Sequence, residues 1–129
     1  MWSDCLNKNM FLVSLYDEMP LLKNVRITQF RVSCDGNRVE LVFDMPVYAY
    51  NPPKKWQEHK CNVVIVQIDF GVIKKLDFNL ESTRFIGDID IYFDENELIN
   101  LKIRGDIEVN LLAEIAFVQK VEGYCLSKK

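Results

Sequence analysis

The fold class follows from the stretch Ile107-Glu108-Val109-Asn110-Leu111-Leu112-Ala113-Glu114-Ile115-Ala116-Phe117. Every second residue from Ile107 to Phe117 is apolar, while Glu108, Asn110 and Glu114 lie in the other phase. This period of two predicts a β-strand with one buried face. At about 3.3 Å per residue the strand would span roughly 35–40 Å, which is long for a strand. We therefore expect it to bend or to carry a β-bulge.

The same period occurs upstream, where two further strands are predicted. Residues 25–34 alternate but change phase midway, which predicts a β-bulge near Thr28 or Gln29. The turn Asp35-Gly36-Asn37 then leads into the alternating residues 39–43. Turn residues between two alternating segments are typical of a hairpin, so the two strands should be antiparallel neighbours.

The segment after residue 61 predicts two separate strands. Residues 62–70 are apolar on both faces apart from Gln67 and Asp69, as expected for a central strand covered on two sides. Gly71 interrupts this run, and residues 76–80 then alternate as a half-exposed strand. We expect the chain to leave one strand and enter another at this glycine.

Two more alternating segments, residues 89–93 and 99–103, precede the long last strand. The tripeptide Arg104-Gly105-Asp106 separates the second of these segments from the long last strand. It is also an adhesion motif, but we interpret it as a hairpin turn. The sequence thus predicts about seven strands and no crossover helix of a dozen residues. We expect a mainly β fold in which mostly antiparallel strands form a curled sheet, a sandwich or a partly closed barrel.

One helix is predicted before the strands. Trp2, Leu6, Met10 and Val13 recur at spacings of four, four and three residues, which is a helical period. Pro20 ends the pattern. We interpret the segment as a short helix that packs this apolar stripe onto the domain.

Length and composition indicate a single domain over residues 1–129. The chain is 49% hydrophobic and 27% charged, enough to form a core without disulfide or metal. Its net charge is −3, and its cations are spread along the chain, which disfavours nucleic-acid binding. No signal sequence and no apolar run of about 18 residues is present, so we expect a cytoplasmic protein without a membrane segment. The four cysteines are far apart, and we expect free, buried thiols.

A catalytic, metal or cofactor site is not indicated. His59 is the only histidine, and Cys61 lies two residues away without a third ligand. Asp88, Asp90 and Asp94 resemble a metal or glycosidase cluster, yet they alternate with core residues or lie in a turn, and we expect a solvated strand face. The isolated glycines form no phosphate-binding loop.

The connection Tyr48 to Trp56 contains three aromatic rings, two lysines and two prolines. Tyrosine and tryptophan bury a large area at low entropic cost and dominate binding energies at interfaces. Two interpretations stay open for Trp56, because it can anchor the loop in the core or contact a partner directly.

Several residues, in this order and at these intervals, resemble the immunity protein 50 family of bacterial polymorphic toxin systems. They are Trp2, Pro20-x-Leu22, Asp35-Gly36, Arg38-Val39-x-Leu41-x-Phe43-Asp44-x-Pro46, Pro53-x-Lys55-Trp56, Asn62-x-Val64, Val121 and Tyr124. The resemblance covers almost the whole chain. It implies a small cytoplasmic protein, encoded beside a toxin, that protects its producer by binding that toxin, and it supplies no catalytic residues.

Three hypotheses follow, and the first is a non-catalytic immunity protein that occludes a cognate toxin. Its candidate contacts are Tyr48, Tyr50, Lys54, Lys55 and Trp56, with Asp88 and Asp90 as a second patch for a basic toxin. The alternative is a β-barrel that binds a small apolar molecule, which requires a cavity of several hundred Å³ inside the sheet. The third is a hydrolase that uses His59 or the acidic set.

Overall fold

The computed structural model describes residues 1–35 and 37–126, in which three short helices accompany six strands. The helices are a 3-10 helix at Trp2–Cys5, α1 at Met10–Ser14 and α2 at Lys54–Glu58. The strands are β1 at Leu22–Ser33, β2 at Arg38–Asp44, β3 at Val63–Leu80, β4 at Ile86–Phe93, β5 at Ile99–Gly105 and β6 at Ile107–Tyr124.

The six strands form a closed barrel in the order β1-β2-β3-β6-β5-β4, and β4 pairs with β1 to complete the ring. All neighbouring pairs are antiparallel. The mainly β, antiparallel class predicted from the alternation is therefore confirmed, and the ring is closed rather than partly closed. β3 and β6 are the longest strands, at 18 residues each.

The strands number six because Gly71 does not end a strand as predicted. It lies inside β3, where it pairs with Arg38 of β2 and Ile115 of β6. A Cβ atom at this position would lie 2.9 Å from the Ile115 Cγ2 atom, so the glycine accommodates a close side chain instead of a turn. The next residue, Val72, has a φ of 53°, and the pairing with β6 shifts register between Ile73 and Lys75. The strand continues through this irregularity.

The bulge expected in the long last strand is confirmed, and the burial pattern changes phase before it. Ile107 to Ala113 alternate as predicted, with the apolar members facing the core. Ile115 was placed on that same face but is 40% exposed, whereas Ala116 and Val118 are buried. The β3 and β6 ladder contains two register shifts. One leaves an extra residue in β6 between Val118 and Lys120, and the other leaves an extra residue in β3 between Ile73 and Lys75.

Two predicted hairpins, β1–β2 and β5–β6, are also confirmed. β1 and β2 pair as antiparallel neighbours, and their register shifts between Ile27 and Gln29, where the bulge was expected. The predicted turn at Asp35-Gly36-Asn37 joins them, but Gly36 lies outside the described residues. Residues 104–106 join β5 to β6, and Gly105 has a φ of 154° that few other residues adopt.

The interior of the barrel is filled by its own side chains. The large residues that are less than 2% exposed include strand residues from every part of the ring: Val25, Val39, Leu41, Phe43, Ile68, Phe70, Ile91, Leu101, Ile103 and Ile107. A six-stranded barrel is narrower than the eight-stranded barrels that hold a small ligand. This packing removes the space that the small-molecule hypothesis requires.

The N-terminal segment departs from the predicted single helix. It forms the 3-10 helix and then the five-residue α1. Trp2 is buried edge-on against Phe43 at a centroid distance of 6.4 Å, and its Nε1 atom donates a hydrogen bond to the Pro20 carbonyl oxygen over 2.9 Å. Leu12 and Leu15, not Met10 and Val13, are the residues of the α1 region that join the core. The predicted stripe is confirmed at Trp2 and Leu6, which are buried, and was wrong at Met10 and Val13, because a break at residues 6–9 resets the helical phase.

Candidate protein-binding surface

The connection between β2 and β3 is attached to the barrel through Trp56. Its ring lies so close to Gly123 of β6 that a Cβ atom at Gly123 would be 2.6 Å from the Trp56 Cδ2 atom. Trp56 also packs against Phe11 of α1 and against Tyr48, with ring centroids 6.0 Å and 6.4 Å away. Only a glycine at residue 123 leaves room for the indole. This position favours the anchoring interpretation of Trp56.

The remaining loop residues predicted to contact a partner differ in exposure. Lys54 and Lys55 begin α2 and are exposed, and Tyr50 is 51% exposed. Tyr48 is half-buried, and burial raises the pKa of its hydroxyl group. Its hydroxyl oxygen is buried without a hydrogen-bond partner among the described residues. Tyr48 is thus part of the support of the loop, and Tyr50 is part of its surface.

Tyr50 is held in place by the region just after α1. Its backbone N–H donates to the Leu15 carbonyl oxygen over 2.8 Å, and its ring packs edge-on against Tyr16 at 5.7 Å. The Tyr16 hydroxyl group in turn donates to the Val47 carbonyl oxygen over 2.6 Å. Burial raises the pKa of Tyr16, so the phenol remains a neutral donor. The loop and α1 therefore form one joined unit.

This unit exposes a set of apolar side chains, four of which are not among the contacts predicted from the sequence. We call it the cap patch, and its members are Met10, Phe11, Val13, Val47, Tyr50 and the accessible part of Trp56. Met10 is 84% exposed, and Phe11, Val13 and Val47 are also exposed. Methionine and aromatic residues are enriched in protein–protein interfaces. Lys54 and Lys55 border the cap patch next to Trp56.

The second predicted patch, on β4, is a mixed-charge surface. The Asp88 carboxylate accepts a hydrogen bond from the Asn24 backbone N–H over 2.8 Å and lies 3.7 Å from the Lys23 Nζ atom. Across the ladder Asp88 faces Arg104, and Asp90 faces Lys102. Neighbouring cations thus offset both carboxylates.

Both aspartates line a groove of about 870 Å³ beside the 3-10 helix, and its lining contains no residue of the Tyr48 to Trp56 loop. The two predicted patches are therefore separate.

Asp94 stabilises the turn between β4 and β5, as expected from its position after β4. One carboxylate oxygen accepts hydrogen bonds from the backbone N–H groups of Asn96 and Leu98, over 2.8 Å and 3.1 Å. The other accepts from the Asn100 side chain over 3.0 Å. The Asn100 side chain and these backbone donors hold the pKa of Asp94 below its usual value.

We predict that Asp94→Ala lowers the free energy of unfolding at neutral pH. Because the pKa of Asp94 is lowered on folding, its contribution is present above the ordinary aspartate pKa of about 4 and is lost as the pH falls through the folded-state pKa. Urea denaturation of wild type and variant from pH 7 to pH about 3 measures this difference, which should shrink toward the acid end. Asp90→Ala, on the preceding strand β4, is the matched control, and an equal loss for both variants would contradict the prediction.

The other candidate groups lie at and just after the end of α2. His59 is exposed at the C-terminal end of α2, and Cys61 is half-buried. Among residues 1–35 and 37–126, no three histidine, cysteine, aspartate or glutamate side chains are grouped so that they could hold a metal ion. The cysteines are free as expected, but the prediction that they are buried was wrong, since Cys34 and Cys125 are exposed. They lie in segments just outside the strand ladder, where a side chain is not enclosed.

Comparison with known proteins identifies the family. The model of the family described as immunity protein 50 matches residues 8–124, and the chain belongs to this family. No curated protein and no solved structure matches the chain. Within the described part of the chain, no helix has the length and apolar character needed to cross a membrane.

Proposed function

We propose that this member of the immunity protein 50 family binds a cognate toxin through the cap patch and blocks it stoichiometrically, without catalysis. The observation that carries this proposal is that methionine, phenylalanine and tyrosine side chains are exposed on one supported unit of the fold. Side chains of this kind are costly to expose, and large apolar patches on a protein surface are typical of interaction sites. Family membership supports a toxin as the partner.

The cap patch is suited to tight binding because its support is already formed. Tyr50 is fixed by its hydrogen bond to Leu15, and Phe11 packs against the anchored Trp56. A preorganised surface loses little conformational freedom when a partner binds, so more of the interaction energy appears as affinity. Stable interfaces bury about 800 Å² on each partner, and a few central aromatic anchors contribute most of the binding energy.

The charged residues refine this proposal. Lys54 and Lys55 form a cationic border at the cap patch, which suits a toxin surface that is acidic next to an apolar centre. Asp88 and Asp90 remain a secondary candidate patch, but Lys23, Lys102 and Arg104 reduce the attraction it would exert on a basic toxin. We therefore propose the cap patch as the primary contact and the cytoplasm of the producing cell as the place of action.

Co-expression with the toxin encoded by the adjacent gene tests the function. We expect restored growth of toxin-expressing cells and a purified complex with equal numbers of both chains, measured by size-exclusion chromatography with light scattering. Absence of both rescue and complex would overturn the proposal. His59→Ala separates occlusion from catalysis, because we expect this variant to protect and bind as the wild type does. Loss of protection with unchanged binding would instead favour an enzymatic mechanism.

A further inference from the structure

One edge of β3 has no strand beside it over the second half of its length. β2 pairs with β3 only from Ile65 to Gly71, whereas β6 pairs with β3 as far as Leu80. Among the described residues, Lys75–Leu80 therefore pair with a strand on one side only. Backbone N–H and C=O groups along such an edge can pair with another strand.

The side chains along this edge are apolar on one face. Leu76, Phe78 and Leu80 alternate there, and the last two are 47% and 40% exposed. Phe78 is stacked against Phe30 of β1 with centroids 5.1 Å apart, which holds the ring in place at the mouth of the barrel. The segment contains no proline and no further register shift after Lys75. Within residues 76–80 the edge is therefore protected neither by a proline nor by a bulge, and its one charged side chain is that of Asp77.

We propose that two copies of this chain pair antiparallel along this edge, with the two-fold axis at Phe78. Antiparallel pairing about this residue places apolar side chains opposite apolar ones and Lys75 opposite a carboxylate, while Asp77 meets an uncharged amide. The pairs are Phe78 with Phe78 of the second copy, Leu76 with its Leu80, Asp77 with its Asn79, and Lys75 with its Glu81. The two barrels then share an extended sheet, and each contributes apolar side chains to a common face.

The neighbouring two-fold registers are less favourable. Centring the pair on Asp77 places this carboxylate opposite itself, which is repulsive. Centring it on Leu76 places the charged Lys74 opposite the apolar Phe78. If the pairing shifts by a single residue from one of these registers, side chains that point to opposite faces of the sheet are placed opposite each other. Such a pairing is incompatible with a flat continuation of the sheet. Charge and apolarity together favour the register at Phe78 over these alternatives.

This second surface is independent of the proposed toxin contact. The cap patch lies where β3 begins and β6 ends, because Trp56 packs on Gly123, while the free edge lies toward the end of β3. A dimer formed through the edge leaves both cap patches accessible. Each copy can then bind one toxin, and failure of either proposal leaves the other intact.

Charge reversal across the proposed pair tests the dimer. We expect the purified full chain to dimerise in sedimentation equilibrium, and Lys75→Glu or Glu81→Lys to raise the dimer dissociation constant by about tenfold or more, since each creates two like-charge pairs. The double variant with both reversals restores opposite charges and should return the constant to within about threefold of wild type. Lys54→Glu on the cap border is the matched control and should leave dimerisation unchanged.

Three outcomes would overturn the proposal. They are a wild-type chain that stays monomeric up to about 1 mM, single reversals with no effect on the dimer, and a double variant that fails to recover. A monomeric chain whose Lys75→Glu variant loses toxin binding would show that the edge accepts the toxin and not a second copy. Circular dichroism of each variant ensures that a change in association does not arise from unfolding.

Discussion

Tyr50→Ala and Met10→Asp are each expected to weaken toxin binding by about thirty-fold or more, because truncating an interface anchor costs about 2 kcal/mol or more. Both side chains are exposed in the free protein, so neither substitution opens a cavity in the core. Aspartate at residue 10 adds a second penalty, since a carboxylate buried in an apolar interface loses its hydration without a partner. We therefore expect unchanged unfolding curves together with a large loss of affinity.

Val32→Asp provides the matched control for these variants. Val32 is 55% exposed, is equally apolar, and lies near the end of β1 at the barrel end away from the cap patch. Isothermal titration calorimetry with the purified toxin should give wild-type affinity for this variant, and growth assays should show full protection. Equal losses of affinity for Val32→Asp and Met10→Asp, or none for any of the three variants, would contradict a toxin contact at the cap patch.

The strand ladder was largely predictable from the sequence because alternation reports burial directly. The hairpins and the bulge near Gln29 follow from local pattern and turn residues. The prediction that Gly71 ends a strand was wrong. A glycine that ends a strand and a glycine that makes room for a neighbouring side chain cannot be distinguished from the sequence. What distinguishes them is Ile115, which is 44 positions away in the chain and reaches Gly71 only after β3 and β6 pair.

The cap patch could be predicted only in part. The composition of the loop from Tyr48 to Trp56 indicates a contact surface, but the sequence pattern predicts the wrong buried face for α1. The position of the barrel decides which face of a five-residue helix is buried. Because the chain breaks before Asn9, the helical phase of Trp2 and Leu6 does not continue into α1. Helices this short derive little stability from their own propensity, so tertiary contacts decide their orientation.

Most residues that stabilise the barrel and the residues proposed to bind the toxin belong to different elements of the fold. The strands supply most of the core, whereas the cap patch belongs to α1 and the β2–β3 connection, which add residues such as Leu12 and Ala49 to the core but no strand to the ring. Residues on such connections can change without altering the ladder that positions them. Trp56 and Gly123 are the exception, because their close contact joins the two parts.

Phe43→Ala is expected to lower the free energy of unfolding by about 3–5 kcal/mol, the usual loss for a large aromatic residue removed from a core. Phe43 is fully buried and pairs in the ladder with Ile27 on one side and Val66 on the other. Trp2 packs edge-on against its ring at a centroid distance of 6.4 Å, so the truncation also removes this contact. A loss of this size is a large fraction of the 5–15 kcal/mol that stabilises a typical domain.

Phe93→Ala is the matched control, because Phe93 also lies on a strand of the barrel but is 53% exposed. We expect it to lose less than about 1 kcal/mol, since little area is withdrawn from the core. Guanidinium denaturation measures both variants, and similar slopes with different midpoints would assign the difference to native stability. If Phe43→Ala lost no more stability than Phe93→Ala, the interior of the barrel would not be the filled, close-packed core on which the rigidity of the cap patch depends.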